Sequence, residues 1–466
     1  MKKSLVCIIL SILLITPTII GCGVKSDEKY YQAHDVYSLS FEIIGGRNVM
    51  PIGAYYGPNE TDYRSENGNQ AFDFVSDEFY SLVDAVGVNF LCSTRDFYEL
   101  KPQSVHKGLQ LCEKYNMGYF VMDSALWNLA LENPTNLKEI VTERISEYSH
   151  YKSYLGQAVY DEPVTKQFDT MASLYRIIED LDVDEAYGYG NLFPVYNQRI
   201  DYTGTSEVIE YAEYVDRYLK TVKPKMLSYD HYLYTTENTI VDNIYFKNMS
   251  IVREKAEEYG IPFWTFIQCG GQWSERGNVA KPDPIYPNEG EFIWNVNTCL
   301  AYGAKGIQYF TLTQPPWFSE TQQGANYEIN GMVGALGNIN RWYYYAEKAN
   351  KQIEAVDHVL MNAYNYGVKL GGKAKDDIEG NEVIDGAFRE LTKIKGDAIV
   401  GCFDYYGKTA LYAVNYSRFE KNTITLDFNG KYGMQVVQRA VTRNYAGDSV
   451  ELTLEAGEGA LIVLSK

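Results

Sequence analysis

The sequence predicts an α/β fold: a (β/α)8 barrel (a TIM barrel) followed by a small C-terminal antiparallel β-sandwich. Three observations carry this. Eight short apolar runs of strand length alternate with stretches of helical periodicity between residues 45 and 352. A helix between successive strands returns the chain to the same end of the sheet, so the strands are parallel. After about Asn350 the texture changes to short alternating runs separated by Gly, Asn and Asp. The other fold built from strand and helix alternation, a doubly wound sheet, would want a G-x-G-x-x-G after its first strand, and none is present.

The strands follow in order. "VMPIGAYYG" ends at Gly57, "VGVNFLCS" at Ser93, "MGYFVMDSA" at Ala125 and "LGQAVYDEP" at Pro163. "EAYGYGNLFP" ends at Pro194, "PKMLSYDHY" at Tyr232, "IPFWTFIQCGG" at Gly271 and "AKGIQYFTLT" at Thr313. Amphipathic stretches such as "FDTMASLYRIIEDL" and "NMSIVREKAEEYG" are long enough for crossover helices. In the C-terminal part, "DAIVGCFDYYG", "TALYAVNYS", "NTITLDFNG", "MQVVQRAVT", "SVELTLEAGEG" and "ALIVLSK" read as sandwich strands. Their expected role is to close the barrel's flank, with sugar binding as the alternative. The division is a leader over 1–22, a tether and N-terminal segment over 23–44, the barrel over 45–352 and the sandwich over 353–466.

The leader "MKKSLVCIILSILLITPTIIGCG" sets Lys2 and Lys3 before an apolar stretch that ends in Gly21 and Cys22. It resembles a bacterial lipoprotein signal, which implies lipidation at Cys22 and a protein tethered to a membrane, extracytoplasmic or at the cell surface. The alternative is a retained transmembrane helix. With 61 acidic against 42 basic residues the formal charge is -19, which argues against nucleic acid as partner. The 42 tyrosines suit sugar faces and ordinary core packing alike. Cys92, Cys112, Cys269, Cys299 and Cys402 are scattered and include no C-x-x-C, so no disulfide framework or zinc knuckle is indicated. Five separated histidines with no H-E-x-x-H give no catalytic zinc, and no cofactor is expected.

In this architecture the active site gathers at the C-terminal ends of the strands. Those ends carry Tyr55, Tyr56 and Asn59, Asp123, Asp161 with Glu162, Tyr189 with Asn191, then Asp230, His231 and Tyr232, Gln268, and finally Tyr309 with Thr311. Paired acids at such a mouth suit glycosidic cleavage, in which one carboxylic acid protonates the leaving oxygen and a second carboxylate attacks or stabilises the oxocarbenium-like centre. Glu162 is the expected acid, its proton favoured by enclosure and by Asp161 beside it. The bland alternative for D-E-P is the first turn of a helix, where acids and Pro are both at home. Tyr56, Asn191, His231, Tyr232, Gln268 and Tyr309 are expected to line the substrate site. Trp273 in "GGQWSERGN" and Trp317 in "TQPPWFSE" are the expected stacking platforms, whereas Trp264 reads as core.

Strand four ending in "YDEP", strand five in "GNLFP", strand six in "LSYDHY", strand seven as "IPFWTFIQ" and strand eight as "AYGAKGIQYFT" together resemble bacterial secreted (β/α)8 glycoside hydrolases of the clan A, β-galactosidase-like, superfamily. The resemblance covers residues 45 to 350. It implies that Glu162 is the acid/base and that Asp161, where clan A usually has Asn, contacts the sugar's 2-hydroxyl. It also implies a nucleophilic Glu at the end of strand seven, where this sequence has Gln268. Three substitutes remain open. Asp230 shares a face with Ser228 and Tyr232 by alternation. Glu275 could swing in from the loop after strand seven. Asp161 and Glu162 could act together on an N-acetylated sugar. The expected function is therefore carboxylate-catalysed hydrolysis of O-glycosidic bonds in oligo- or polysaccharides outside the cell. The alternative is a noncatalytic cell-surface glycan-binding protein on a degenerate barrel, and the acid-rich mouth disfavours a polysaccharide lyase.

Overall fold

The computed structural model describes residues 28–55, 57, 72–92, 102–181, 183, 185–197, 201–234, 243–270, 286–313, 331–334 and 337–466. Tyr56, Asn59, Glu275, Trp273, Trp317 and the leader with Cys22 lie outside the described residues.

Eight parallel strands close a barrel in chain order: β1 (Ile52–Tyr55), β2 (Phe90–Cys92), β3 (Gly118–Val121), β4 (Tyr154–Asp161), β5 (Tyr187–Leu192), β6 (Leu227–Tyr229), β7 (Phe263–Gln268) and β8 (Ile307–Phe310). β1 closes the ring on β8 through Ile52 opposite Ile307 and Gly53 opposite Gln308. The expected segments match this barrel strand for strand, because strands covered by helices on the outside and by side chains inside are apolar throughout.

Residues alternate between the two sides of the barrel wall. On β7, Trp264 and Phe266 fill the inside with Phe90, Phe120, Leu155 and Tyr189, while Phe263 and Ile267 pack outward under the helices. Gly53 leaves room for this filling: a Cβ there would lie 2.1 Å from the Phe90 ring.

The floor of the barrel comes from before β1. Phe41 is fully buried and meets Phe120, Tyr187 and Trp264 edge-on at 6.2, 5.8 and 6.3 Å, with Leu39 and Ile44 beside it. The segment assigned to a tether up to residue 44 thus contributes barrel core.

The helix Arg341–Leu360 runs across the expected boundary at 352–353, and the C-terminal sheet begins after it. This sheet holds seven strands: β9 (Tyr364–Gly371), β10 (Leu391–Lys395), β11 (Ala398–Tyr405), β12 (Lys408–Asn415), β13 (Asn422–Gln438), β14 (Val441–Leu454) and β15 (Gly459–Ser465). They run β10-β13-β15-β12-β11-β9, with β14 on β13. The runs read as two strands, "NTITLDFNG" and "MQVVQRAVT", fall largely within one long β13, which shifts register between Asp427 and Tyr432 without losing its ladder.

Both layers of the sandwich are therefore parts of one sheet. Val400, Leu411 and Ile462 share an inner core with Ile424, Leu426 and Leu452, while Ile399, Tyr412 and Leu461 on the opposite face pack into the barrel's helical layer.

Candidate active site

β4 ends in the paired acids Asp161 and Glu162. Asp161 is the strand's last residue, and Glu162 adds one more rung to the ladder, its N–H donating to Asn191 O at 2.8 Å. Glu162 then adopts φ +49, in the left-handed region that a residue with a side chain enters at a cost. The following 3-10 turn starts only at Thr165 and the helix only at Phe168, so the acids belong to the barrel mouth and not to a helix N-terminus.

Asn191, near the end of β5, organises the acids. Its Oδ1 accepts the Ser228 hydroxyl at 3.0 Å, which turns Nδ2 toward the mouth. That one Nδ2 lies 3.4 Å from Asp161 Oδ1 and 3.2 Å from Asp230 Oδ1. The two carboxylate oxygens are therefore separated by no more than the sum of those distances. Paired carboxyls of glycosidases stand about 5 to 9.5 Å apart. Below the acids the network continues: Ser228 meets the Tyr189 hydroxyl at 3.2 Å and Gln308 Nε2 at 3.1 Å. On the other side the Tyr55 hydroxyl donates to Asp161 Oδ2 at 3.2 Å.

The electrostatics follow from this crowding. Asp230 is 5% exposed, and burial first, then the charges of Glu162 and Asp161, push its carboxyl well above the ordinary range, with the Asn191 hydrogen bond opposing. Asp161 is open to water at the mouth yet ringed by barrel atoms, and it too is raised by burial against the opposing bonds from Tyr55 and Asn191. Asp161 and Asp230 share one amide under the charge of Glu162, and carboxyls crowded in this way retain a proton more readily than separate acids would. Such an arrangement can donate a proton to a leaving oxygen and present a carboxylate to a positive centre.

The other expected site residues divide. Tyr232 lies at the mouth over Phe310, with ring centres 5.3 Å apart. Gln268 faces inward, as alternation from Trp264 and Phe266 requires, but its amide is committed to backbone. Oε1 accepts Tyr234 N–H at 3.0 Å, and Nε2 donates to Tyr234 O at 2.8 Å and Gly270 O at 3.0 Å. It is a clamp between the ends of β6 and β7 and not a substrate contact.

Tyr309 corrects a second expectation. It lies one position out of phase with inward Gln308 and Phe310, stacks on Phe292 at 5.9 Å and donates to Asn350 Oδ1 at 2.6 Å, all on the outside of the barrel wall. His231 is buried beside Asp230, its Nδ1 2.9 Å from Asn248 Oδ1 and its ring between Tyr196 and Tyr245, which gives it a packing role. Asp123 is likewise structural: it caps the helix Ser124–Glu132 and takes Arg144 Nη2 at 2.8 Å. Trp264 is core, as expected.

Two contributors were not assigned a role from sequence. Tyr55, named among the strand-end residues, shares the inward phase of Gly53 on β1, and that phase is the signal that selects it over Tyr56. Ser228 orients Asn191, and only the β5–β6 register, with Asn191 opposite Ser228, reveals the pairing.

No family model matches the sequence, and no curated protein matches it. Solved structures do share the fold. A β-galactosidase from Bacillus circulans sp. alkalophilus aligns with 90% of this chain and 99% of its own, at 8% identity and a TM-score of 0.54. That share is larger than the barrel alone can fill, so the likeness runs into the C-terminal sheet. A β-L-arabinopyranosidase from Geobacillus stearothermophilus (8% identity, 92% and 99% covered, TM-score 0.48) and an endo-β-1,4-mannanase from Thermotoga petrophila (9%, 88% and 99%, 0.41) are similar at a looser level.

Proposed function

We propose that the chain is a glycoside hydrolase acting on oligo- or polysaccharides, with Glu162, Asp161 and Asp230 as its working carboxyls. The observation that carries this reading is the single Asn191 amide held between Asp161 and Asp230, with Glu162 close enough to raise Asp230. In this scheme Glu162, on the strained turn at the rim, delivers the set's proton to the glycosidic oxygen. Asp230, deeper in the mouth, then faces the oxocarbenium-like centre as a carboxylate. Asp161 accepts a sugar hydroxyl, and Tyr232 supplies a ring for the sugar to rest on. Gln268 holds the walls in place and takes no chemical part.

The leader supports a further part of the proposal: an outward-facing protein held to a membrane through lipid on Cys22. Among the described residues no helix is long and apolar enough to cross a membrane.

One observation favours a second reading, a glycan-binding protein that does not cut: an amide occupies the position of the clan A nucleophile. The purified full-length protein and its Glu162→Gln variant, offered aryl glycosides and native glycans, separate the two. Sugar release by the parent alone is the expected result. Binding by both proteins with release by neither would replace the hydrolase with the binding protein.

A further inference from the structure

A cavity of about 640 Å³ opens between residues 29–34, the helix Asn243–Tyr259, the start of β9 and the loop 381–385, and none of the mouth carboxyls lines it. Its volume falls within the range of small-ligand sites, about 300 to 1,000 Å³. The loop is anchored by backbone: Val368 N–H donates to Glu382 O at 2.9 Å, and Ile384 N–H to Val368 O at 2.8 Å. Gly367 makes that approach feasible, since a Cβ there would lie 2.1 Å from Glu382 O.

This anchoring fixes the Glu382 side chain in the cavity wall at 5% exposure. Its Oε2 accepts the Ser250 hydroxyl. Its Oε1 is buried, and among the described residues nothing donates to it. A buried acceptor without a donor costs about 1 to 3 kcal/mol, and more when charged, so a rotation of the carboxylate that brought Oε1 to a ligand hydroxyl would be favourable.

Across the cavity the wall is aromatic. His34 lies flat on Tyr364 at 4.3 Å, and Tyr366 meets both rings edge-on. The remaining polar groups narrow the ligand. Glu254, Glu257 and Asp385 disfavour an anion. Arg253 is built into the same wall by bonds of 2.9 and 2.7 Å to Asn365 and is paired with Glu257 at 3.4 Å. An aromatic wall beside an acceptor short of a donor suits a molecule that joins hydroxyl donors to an apolar ring face, and a neutral one adds no charge to either sign already present.

We infer that this cavity is a second carbohydrate-binding site, taking a neutral sugar unit of a glycan chain. It shares its ligand class with the reading of the mouth but none of its chemistry.

The test is calorimetric titration of β-1,4-linked hexaoses of glucose, mannose and galactose into the full-length Glu162→Gln protein, with and without Glu382→Gln. Glu382→Gln is expected to weaken one saturable binding event at least tenfold. In the otherwise unaltered protein it is expected to leave kcat/KM on aryl glycosides within twofold. Asn381→Trp, on the exposed rim, should block the same event and serves if Glu382→Gln does not fold. Hexaose binding unchanged in both variants would overturn the inference, as would uptake of spermidine with no hexaose bound. Loss of the Glu382-dependent event alone removes this site and leaves the hydrolase. A parent that binds through Glu382 but releases no sugar removes the hydrolase and leaves this site.

Discussion

Gln268→Glu would restore, on paper, the carboxylate that clan A enzymes carry at the end of strand seven. The structure forecasts the opposite of a gain. The amide is 3% exposed, and Nε2 supplies two hydrogen bonds, to Tyr234 O and Gly270 O, while Oε1 takes one from Tyr234 N–H. A glutamate keeps the last and loses the first two, setting a carboxylate oxygen against two carbonyls with no water to intervene. Each buried acceptor deprived of its donor costs about 1 to 3 kcal/mol, so the loss should total about 2 to 6 kcal/mol before any charge penalty. A protonated glutamate could recover one of the two bonds, which places the loss nearer the lower figure in acid. Urea unfolding at pH 7 and pH 5 measures it, and aryl glycoside turnover is read in parallel. A variant as stable as the parent that hydrolyses faster would refute the clamp and put position 268 back among the reacting groups.

Two further outcomes follow from the same geometry. Asp230 has its carboxyl raised on folding, so its proton-linked stability is complete below about pH 3.9, the ordinary value, and is lost as pH rises through the folded pKa. Asp230→Asn keeps an Oδ1 for Asn191 and removes the charge. It should abolish sugar release yet gain stability at pH 7, a gain that vanishes near pH 3 in urea titrations; a variant less stable than the parent at pH 7 would contradict it. Phe41→Ala should cost about 3 to 5 kcal/mol in chemical denaturation, as a fully buried aromatic does, and a loss below 1 kcal/mol would show that the floor is dispensable.

The barrel was legible because parallel strands buried on both sides write continuous apolar runs, and the acids at the end of β4 were legible because they interrupt one. Side-chain partners were less so. Tyr309 was misjudged by one step of alternation, which a short strand such as Ile307–Phe310 does not fix from sequence alone. Gln268 is on the side of the wall that its position in the strand predicts, yet two of its three bonds go to Tyr234 in the loop after another strand, and pairing across 34 residues leaves no local pattern. The contribution of residues 39–44 went unread because short 3-10 turns have no helical or strand period. The boundary at 352 missed because the helix Arg341–Leu360 is polar on its outer side and merges with the turn-rich texture beyond.

The barrel floor has a consequence in time. Phe41 emerges from the ribosome before any strand, but its ring partners lie on β3, β5 and β7, and Trp264 is the last of them to be made. At about 5 to 20 residues per second, that partner arrives on the order of ten to several tens of seconds later. Through that interval Phe41, Leu39 and Ile44 form an apolar segment with no final place to go. Residues 39–44 are thus made before every strand of the barrel, yet their native contacts are complete only when the seventh strand has been made.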